Sequence, residues 1–174
     1  TIVYPNYYGV CSDLKRIAEI VHKYDKILLV DEAHGSHFAF SNKLPISALE
    51  AGADIVVQST HKTLPSFTQT SMIHVGTGRV DIDKLKDMSS LYQSTSPSYL
   101  FMASLEIARA YMEGEGKARL EESILMVDET IKILENIDRV HIFTGDKEDK
   151  TIYAKDNTKI LIRLDNMIGT NLEN

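Results

Sequence analysis

Short, unbroken apolar runs alternate with helical periodicity through the first half of the chain. Thr1-Ile2-Val3-Tyr4 opens it as a strand-like run. Ser12 is placed to cap a helix over about 13–24, in which Leu14, Ile17, Val21 and Tyr24 recur at helical spacing. Lys26-Ile27-Leu28-Leu29-Val30-Asp31 then runs apolar without alternation and ends in an acid. That is the pattern of a strand buried on both faces of a parallel sheet. Pro45 to Ala51 predicts a short helix, with Pro in its first turn and Gly52 as its stop. Asp54-Ile55-Val56-Val57-Gln58 and Thr70 to Val75 read as further strands, and Val80 to Tyr92 as a helix carrying Ile82, Leu85 and Met88 on one side.

The character changes near Pro97. From Tyr99 to about Ile137 the periodicity is helical almost throughout, broken at Gly114-Glu115-Gly116, and Lys159 to Leu164 reads as a strand opening another unit. Strand, helix, strand, helix, strand within the first 75 residues predicts an α/β sheet with helical crossovers. Such sheets bind ligands in the crevice outside the carboxyl ends of their strands.

Composition narrows the classes. The 174 residues are 43% hydrophobic and 25% charged, an ordinary globular balance for one domain or one and part of another. The net charge of −6 argues against nucleic acid or an anionic membrane as the main partner. Residues 112–150 hold 11 acids and 6 bases, so −5 of that −6 lies on the later helices, where a solvated face accounts for it. The single cysteine, Cys11, excludes a disulfide within the chain and a Cys-rich zinc module. No run approaches the roughly 20 apolar residues of a membrane helix, and no signal peptide is visible. The expectation is a cytoplasmic protein. The chain starts without Met and starts and stops beside strand-like runs, so it is expected to be a segment of something longer.

Two strand ends carry the chemistry. One delivers Asp31-Glu32-Ala33-His34-Gly35-Ser36-His37, the other Ser59-Thr60-His61-Lys62-Thr63-Leu64-Pro65. If the strands are parallel, Asp31 and Lys62 share one edge of the sheet, a carboxylate and an amine flanked by hydroxyls and imidazoles. Taken singly, Asp31 is accounted for as a turn cap and Lys62 as a solvated surface residue. Taken together, Ser59, Thr60 and a protonated His61 can donate to phosphate oxygens, and a lysine held in such a pocket that loses its proton can attack a carbonyl. A rival reading gathers Asp31, His34, His37 and His61 around zinc for metal-assisted hydrolysis.

Four stretches in this order resemble the bacterial ornithine/lysine/arginine decarboxylases, which are fold-type I enzymes using pyridoxal phosphate (PLP). They are Tyr7-Tyr8-Gly9-Val10-Cys11-Ser12-Asp13-Leu14, Val30-Asp31-Glu32-Ala33-His34-Gly35, Ser59 to Pro65, and Gln93-Ser94-Thr95-Ser96-Pro97-Ser98-Tyr99. The likeness spans about residues 3 to 110. It implies part of a PLP-transferase-like (aspartate aminotransferase fold) large domain with a mostly parallel sheet over 1–98. Connecting helices and the start of a smaller α+β domain then follow over 99–174.

The resemblance also implies roles. Lys62 carries PLP as a Schiff base, and Asp31 pairs with the pyridine nitrogen so that the ring acts as an electron sink. Ala33 packs on one ring face, and Ser59 and His61 contact the phosphate. Ser94 and Thr95 serve the phosphate of a neighbouring subunit in a homodimer or higher oligomer, or else cap the helix that starts near Ser98. His34 has no assigned role. The substrate implied is a basic amino acid (arginine, lysine or ornithine), decarboxylated to an amine. An aminotransferase or aldolase-like lyase of the same fold type is the enzyme alternative. The phosphate loop and a ring-stacking aromatic are not found in these residues, so the segment alone is expected to be catalytically silent.

Overall fold

A computed structural model of the chain describes residues 1–94, 96–145 and 151–165. The elements run β1 (Ile2–Val3), β2 (Val10–Cys11), α1 (Leu14–Lys23), β3 (Leu29–Asp31), β4 (Ile55–Gln58), the single turn α2 (Thr60–Thr63) and β5 (Met72–Val75). There follow α3 (Ile82–Tyr92), α4 (Tyr99–Tyr111), α5 (Lys117–Leu134), β6 (Val140–Ile142), β7 (Ala154–Lys155) and β8 (Ile162–Leu164). Four strands form the main sheet in the order β1-β3-β4-β5. β1, β3 and β4 are parallel, and β5 closes the edge antiparallel to β4. β2 pairs with β7 and β6 with β8, both antiparallel. The α/β class and the mostly parallel sheet are as the sequence predicts.

The core lies on one face of that sheet. Val30 and Val56 point into it with Leu14 and Ala18 of α1, Tyr4, Phe38, Ala48 and Ile124 of α5. At ~1.5–3 kcal/mol for each large apolar side chain withdrawn from water, this cluster supplies much of what holds the fold together. The other face is only partly covered: Val3, Ile73 and Val75 are exposed there and Leu29, Ile55 and Val57 half-buried. The expected burial of β3 on both faces therefore does not hold for this chain.

Helix α1 is capped by Asp13, not by Ser12 as predicted. The Asp13 carboxylate accepts from the Arg16 N–H at 3.0 Å, while Ser12 offers its carbonyl to Leu14 N–H. The predicted helix over Pro45–Ala51 is a single turn: Ala51 N–H reaches the Ser47 carbonyl at 2.9 Å, and Ser47 and Glu50 cap one another reciprocally. Gly52 at φ +93° stops it after that one turn, a conformation that favours glycine. At Gly114 (φ −96°, ψ −110°) the long helical stretch bends where the sequence pattern breaks, so α4 and α5 are joined through a wide turn at Met112–Gly116. Among the described residues no helix is long and apolar enough to cross a membrane.

Candidate active site at the carboxyl ends of β3 and β4

Parallel pairing puts the ends of β3 and β4 side by side, with Asp31 opposite Val57. Each strand then turns sharply. After β3, the Asp31 Oδ1 accepts the Ala33 N–H at 3.0 Å, folding the chain back on its own carboxylate. Glu32 N–H bonds the Val57 carbonyl and Gly35 N–H the Glu32 carbonyl. A Cβ at Gly35 would stand 2.7 Å from Glu32 Cγ and 2.8 Å from Pro5 Cδ, so this position admits no side chain without displacement. After β4, Ser59 leads into α2, the turn that holds His61 and Lys62; the Ser59 hydroxyl makes no capping bond and its carbonyl accepts Lys62 N–H at 3.0 Å.

These two turns bring Lys62 and His34 together. Lys62 Nζ lies 3.2 Å from His34 Nε2. Burial, Lys62 and Lys159 all push His34 below its ordinary value, against a weaker opposite pull from Asp31. His34 is therefore neutral at pH 7 and accepts a hydrogen bond from Lys62 at Nε2, which leaves its own proton on Nδ1. Tyr7 sets its ring edge-on to His34 at 5.4 Å between centroids, and Tyr8 sets its ring edge-on to Tyr7 at 5.5 Å. His61 is oriented differently: its Nδ1–H donates to the Thr70 carbonyl at 2.8 Å, leaving Nε2 free of that bond.

Asp31, Ala33, Ser59, His61 and Lys62 thus share the edge that the sequence assigns them. Ser94 does not join them. Its side chain is exposed and its hydroxyl accepts the Ser96 N–H at 3.1 Å, while Ser98 caps α4 through the Phe101 N–H. Thr95 lies outside the described residues. The metal reading fails on geometry: among the described residues no three of His, Cys, Asp or Glu converge to hold an ion. His37 is instead drawn away from the edge, buried against Asp156 at 3.2 Å. Sequence reasoning missed Lys159, which reaches the site because β7 returns the chain to β2. Gly9 would place a Cβ 3.0 Å from Lys159 Cδ, a closeness that no local spacing announces.

The chain matches the Orn/Lys/Arg decarboxylase major domain over residues 1–161. It is 39% identical over 162 residues to the arginine decarboxylase of Bacillus subtilis, covering 92% of this chain and 33% of that protein. To the lysine decarboxylase LdcA of Pseudomonas aeruginosa it is 34% identical over 128 residues, covering 67% and 17%. Among solved structures it resembles the constitutive lysine decarboxylase of E. coli, with TM-score 0.65 and 24% identity over 87% of this chain and 23% of that one. It also resembles a NifS-like protein from Rickettsia africae, with TM-score 0.67 and 20% identity over 98% and 44%. These two likenesses concern the fold. The chain spans about a third of the length of the arginine decarboxylases it matches. With four ordered motifs, two of them at the carboxyl ends of β3 and β4, and a family match over most of its length, the chain belongs to the Orn/Lys/Arg decarboxylase family, in its major domain.

Proposed function

We propose that this chain carries the lysine and the carboxylate of a PLP-dependent decarboxylase acting on arginine, lysine or ornithine. The observation that carries the reading is the Lys62 amine, exposed at the end of a parallel sheet and 3.2 Å from a neutral imidazole. The surrounding donor set suits PLP in chemistry. Asp31 commits only Oδ1 to the backbone, so Oδ2 is available to a pyridinium N–H. Ala33 is small enough to lie against a ring, the Ser59 hydroxyl makes no capping bond and can donate to a phosphate, and His61, with Nδ1–H held by the Thr70 carbonyl, can donate to it from Nε2 as the imidazolium.

When bound, PLP condenses with an amine and draws electrons from the bonds at the substrate Cα. The chain's own residues prepare for this. Lys62 directs Nζ at His34 Nε2, and that bond orients the amine at the sheet edge. His34, held below its ordinary value, stays neutral and keeps Nε2 open as the acceptor of that bond. Tyr7 fixes the imidazole plane, and the Asp31 carboxylate holds a proton at the atom facing it. Gly35 lets the strand end approach Pro5 and keeps the edge compact.

Since the arginine decarboxylases matched are about three times as long, we assign turnover to a longer polypeptide bearing this segment. The division at residue 98, the homo-oligomeric assembly and the cytoplasmic location belong to the same proposal. The test is spectroscopic. PLP added to the protein should give a near-visible absorbance band that borohydride fixes to Lys62, located by peptide mass. Lys62→Ala should lose the band. Retention of the fixed cofactor in Lys62→Ala, or its attachment to another lysine, overturns the assignment. Release of carbon dioxide from the three amino acids by the full-length protein then identifies the substrate.

A further inference from the structure

Behind the candidate site, on the core face of the sheet, a fully buried carboxylate is wired to an imidazole through an amide. Glu32 is entirely excluded from solvent. Its Oε1 accepts the Ala48 N–H at 2.6 Å and its Oε2 accepts the Gln58 Nε2–H, also at 2.6 Å. The Gln58 Oε1 faces His74 Nε2 at 3.0 Å. A carboxylate can only accept, so the amide nitrogen must face Glu32 and the amide oxygen must face His74. His74 therefore donates from Nε2 and its Nδ1 is bare. One ionisation state of Glu32 dictates the amide orientation and the imidazole tautomer on the neighbouring strand.

Protonation of Glu32 cannot leave this arrangement in place. Both carboxylate oxygens meet N–H donors, so an added proton on either would set donor against donor at 2.6 Å. The alternative that satisfies every group keeps Oε1 as acceptor for Ala48 and puts the new proton on Oε2. Gln58 rotates by half a turn to accept that proton through Oε1, and its Nε2–H donates to His74 Nε2. The imidazole then carries its single proton on Nδ1. The balance is one proton taken up at Glu32, with the His74 proton exchanged between ring nitrogens through solvent. Gln58 and His74 both border a cavity of about 200 Å³ lined mainly by apolar side chains such as Phe40, Leu49, Leu64 and Leu105, which leaves the amide and the ring free volume on one side.

We propose that Glu32, Gln58 and His74 form a proton-linked relay with these two hydrogen-bonding states, and that Glu32 is a positioning residue for the Asp31–Gly35 turn. Glu32 adjoins Asp31 and Gln58 adjoins Ser59, so the relay is anchored in the two segments that carry the site. Its midpoint falls within reach of ordinary solution pH. Burial pushes the Glu32 carboxyl up to about 7, with Gln58 and the Ala48 amide pulling the other way and Glu50 adding to the rise. The other titratable groups facing Glu32 are Tyr4 and Cys11, both pushed well up by burial and neutral here, and Arg109 also lines the cavity that His74 borders. Burial pushes His74 down, so the ring stays neutral in both states.

The experiment follows the His74 ring nitrogens and the Glu32 side-chain carboxyl carbon by NMR between about pH 5 and 9. In the wild-type chain, Nε2 should change from the N–H to the bare imidazole position as pH falls, with the midpoint of the Glu32 carboxyl. Glu32→Gln presents an amide N–H where the protonated acid would present O–H. It should hold His74 with the proton on Nδ1 at every pH. A His74 tautomer that does not change with pH, or that changes at a midpoint different from that of Glu32, overturns the relay. So does a folded Glu32→Gln in which Nε2 keeps its proton. If that variant does not fold, the coincidence of the two wild-type midpoints still decides.

Discussion

At the scale of single residues, Glu32 predicts a pH dependence of stability with a definite sign. Its folded-state value is raised to about 7 from an ordinary 4.5. Between those values the folded chain binds more protons than the unfolded one, so stability falls as pH rises through the window. The loss at the top is on the order of 3 kcal/mol. Urea unfolding at stepped pH should show this decline in the wild type and a flatter profile in Glu32→Gln; an equal slope in both would sink the assignment to Glu32. Gly35 makes a second, independent claim. With a Cβ forced to within 2.8 Å of both Glu32 and Pro5, Gly35→Ala should cost about 1–3 kcal/mol, as overpacking does, and an unchanged urea midpoint would contradict it. The sequence displayed Asp31 and Lys62 because strand ends are visible as the points where apolar runs stop. It did not display Glu32 as a buried group, since a charged residue one position past a strand end reads as solvent-facing. Only the pairing of β3 with β4 reveals that strand alternation turns Glu32 inward beside Gln58.

At the scale of elements, the helix starts show how local chemistry decides among adjacent candidates. Ser12 and Asp13 are both good caps by type, but the chain leaves β2 in such a way that Asp13, not Ser12, meets the open N–H of Arg16. Asp13→Ala should therefore lower stability by ~1 kcal/mol, whereas Ser12→Ala should leave the urea midpoint nearly unchanged. The reverse order would restore the sequence-based choice. The turn at Ser47–Ala51 illustrates a different limit. Its residues have helix signals at both ends, but only one turn separates the Ser47–Glu50 box from Gly52, and the Ala48 N–H is spent on Glu32. Helical propensity cannot extend where tertiary partners claim the backbone. The break at Gly114 was visible in sequence because two glycines interrupt an otherwise regular pattern, and glycine lowers the cost of a bend.

At the scale of the molecule, residues 119 positions apart hold the β7 segment on the early turns. Asp156 is fully buried, 3.2 Å from His37, with Thr158 donating both its hydroxyl and its N–H to the same carboxylate. Burial pushes that carboxyl up, but the bonds from His37 and Thr158 outweigh it and hold the group below its usual range. The linked stability is present above the ordinary carboxylate value and is lost as pH falls through the lower folded value. That is opposite in sign to Glu32, so the two groups together favour a maximum at mildly acid pH. Asp156 also fixes where β7 meets β2, since its N–H reaches the Gly9 carbonyl at 2.8 Å, and through that pairing it sets Lys159 beside His34. This long-range closure was beyond the sequence, because nothing local to Asp156 or His37 predicts that they meet. Removing one partner leaves the other buried and uncompensated, so Asp156→Ala should cost about 3–5 kcal/mol. Hydrogen exchange separates that outcome from a general loosening. The amides of Tyr153 and Asp156, which bond across to Cys11 and Gly9, should lose protection first. Those of Glu32 and Val56 in the main sheet should keep theirs until global unfolding, and a uniform loss across both sets would show that the pairing of β7 with β2 is not held by this pair.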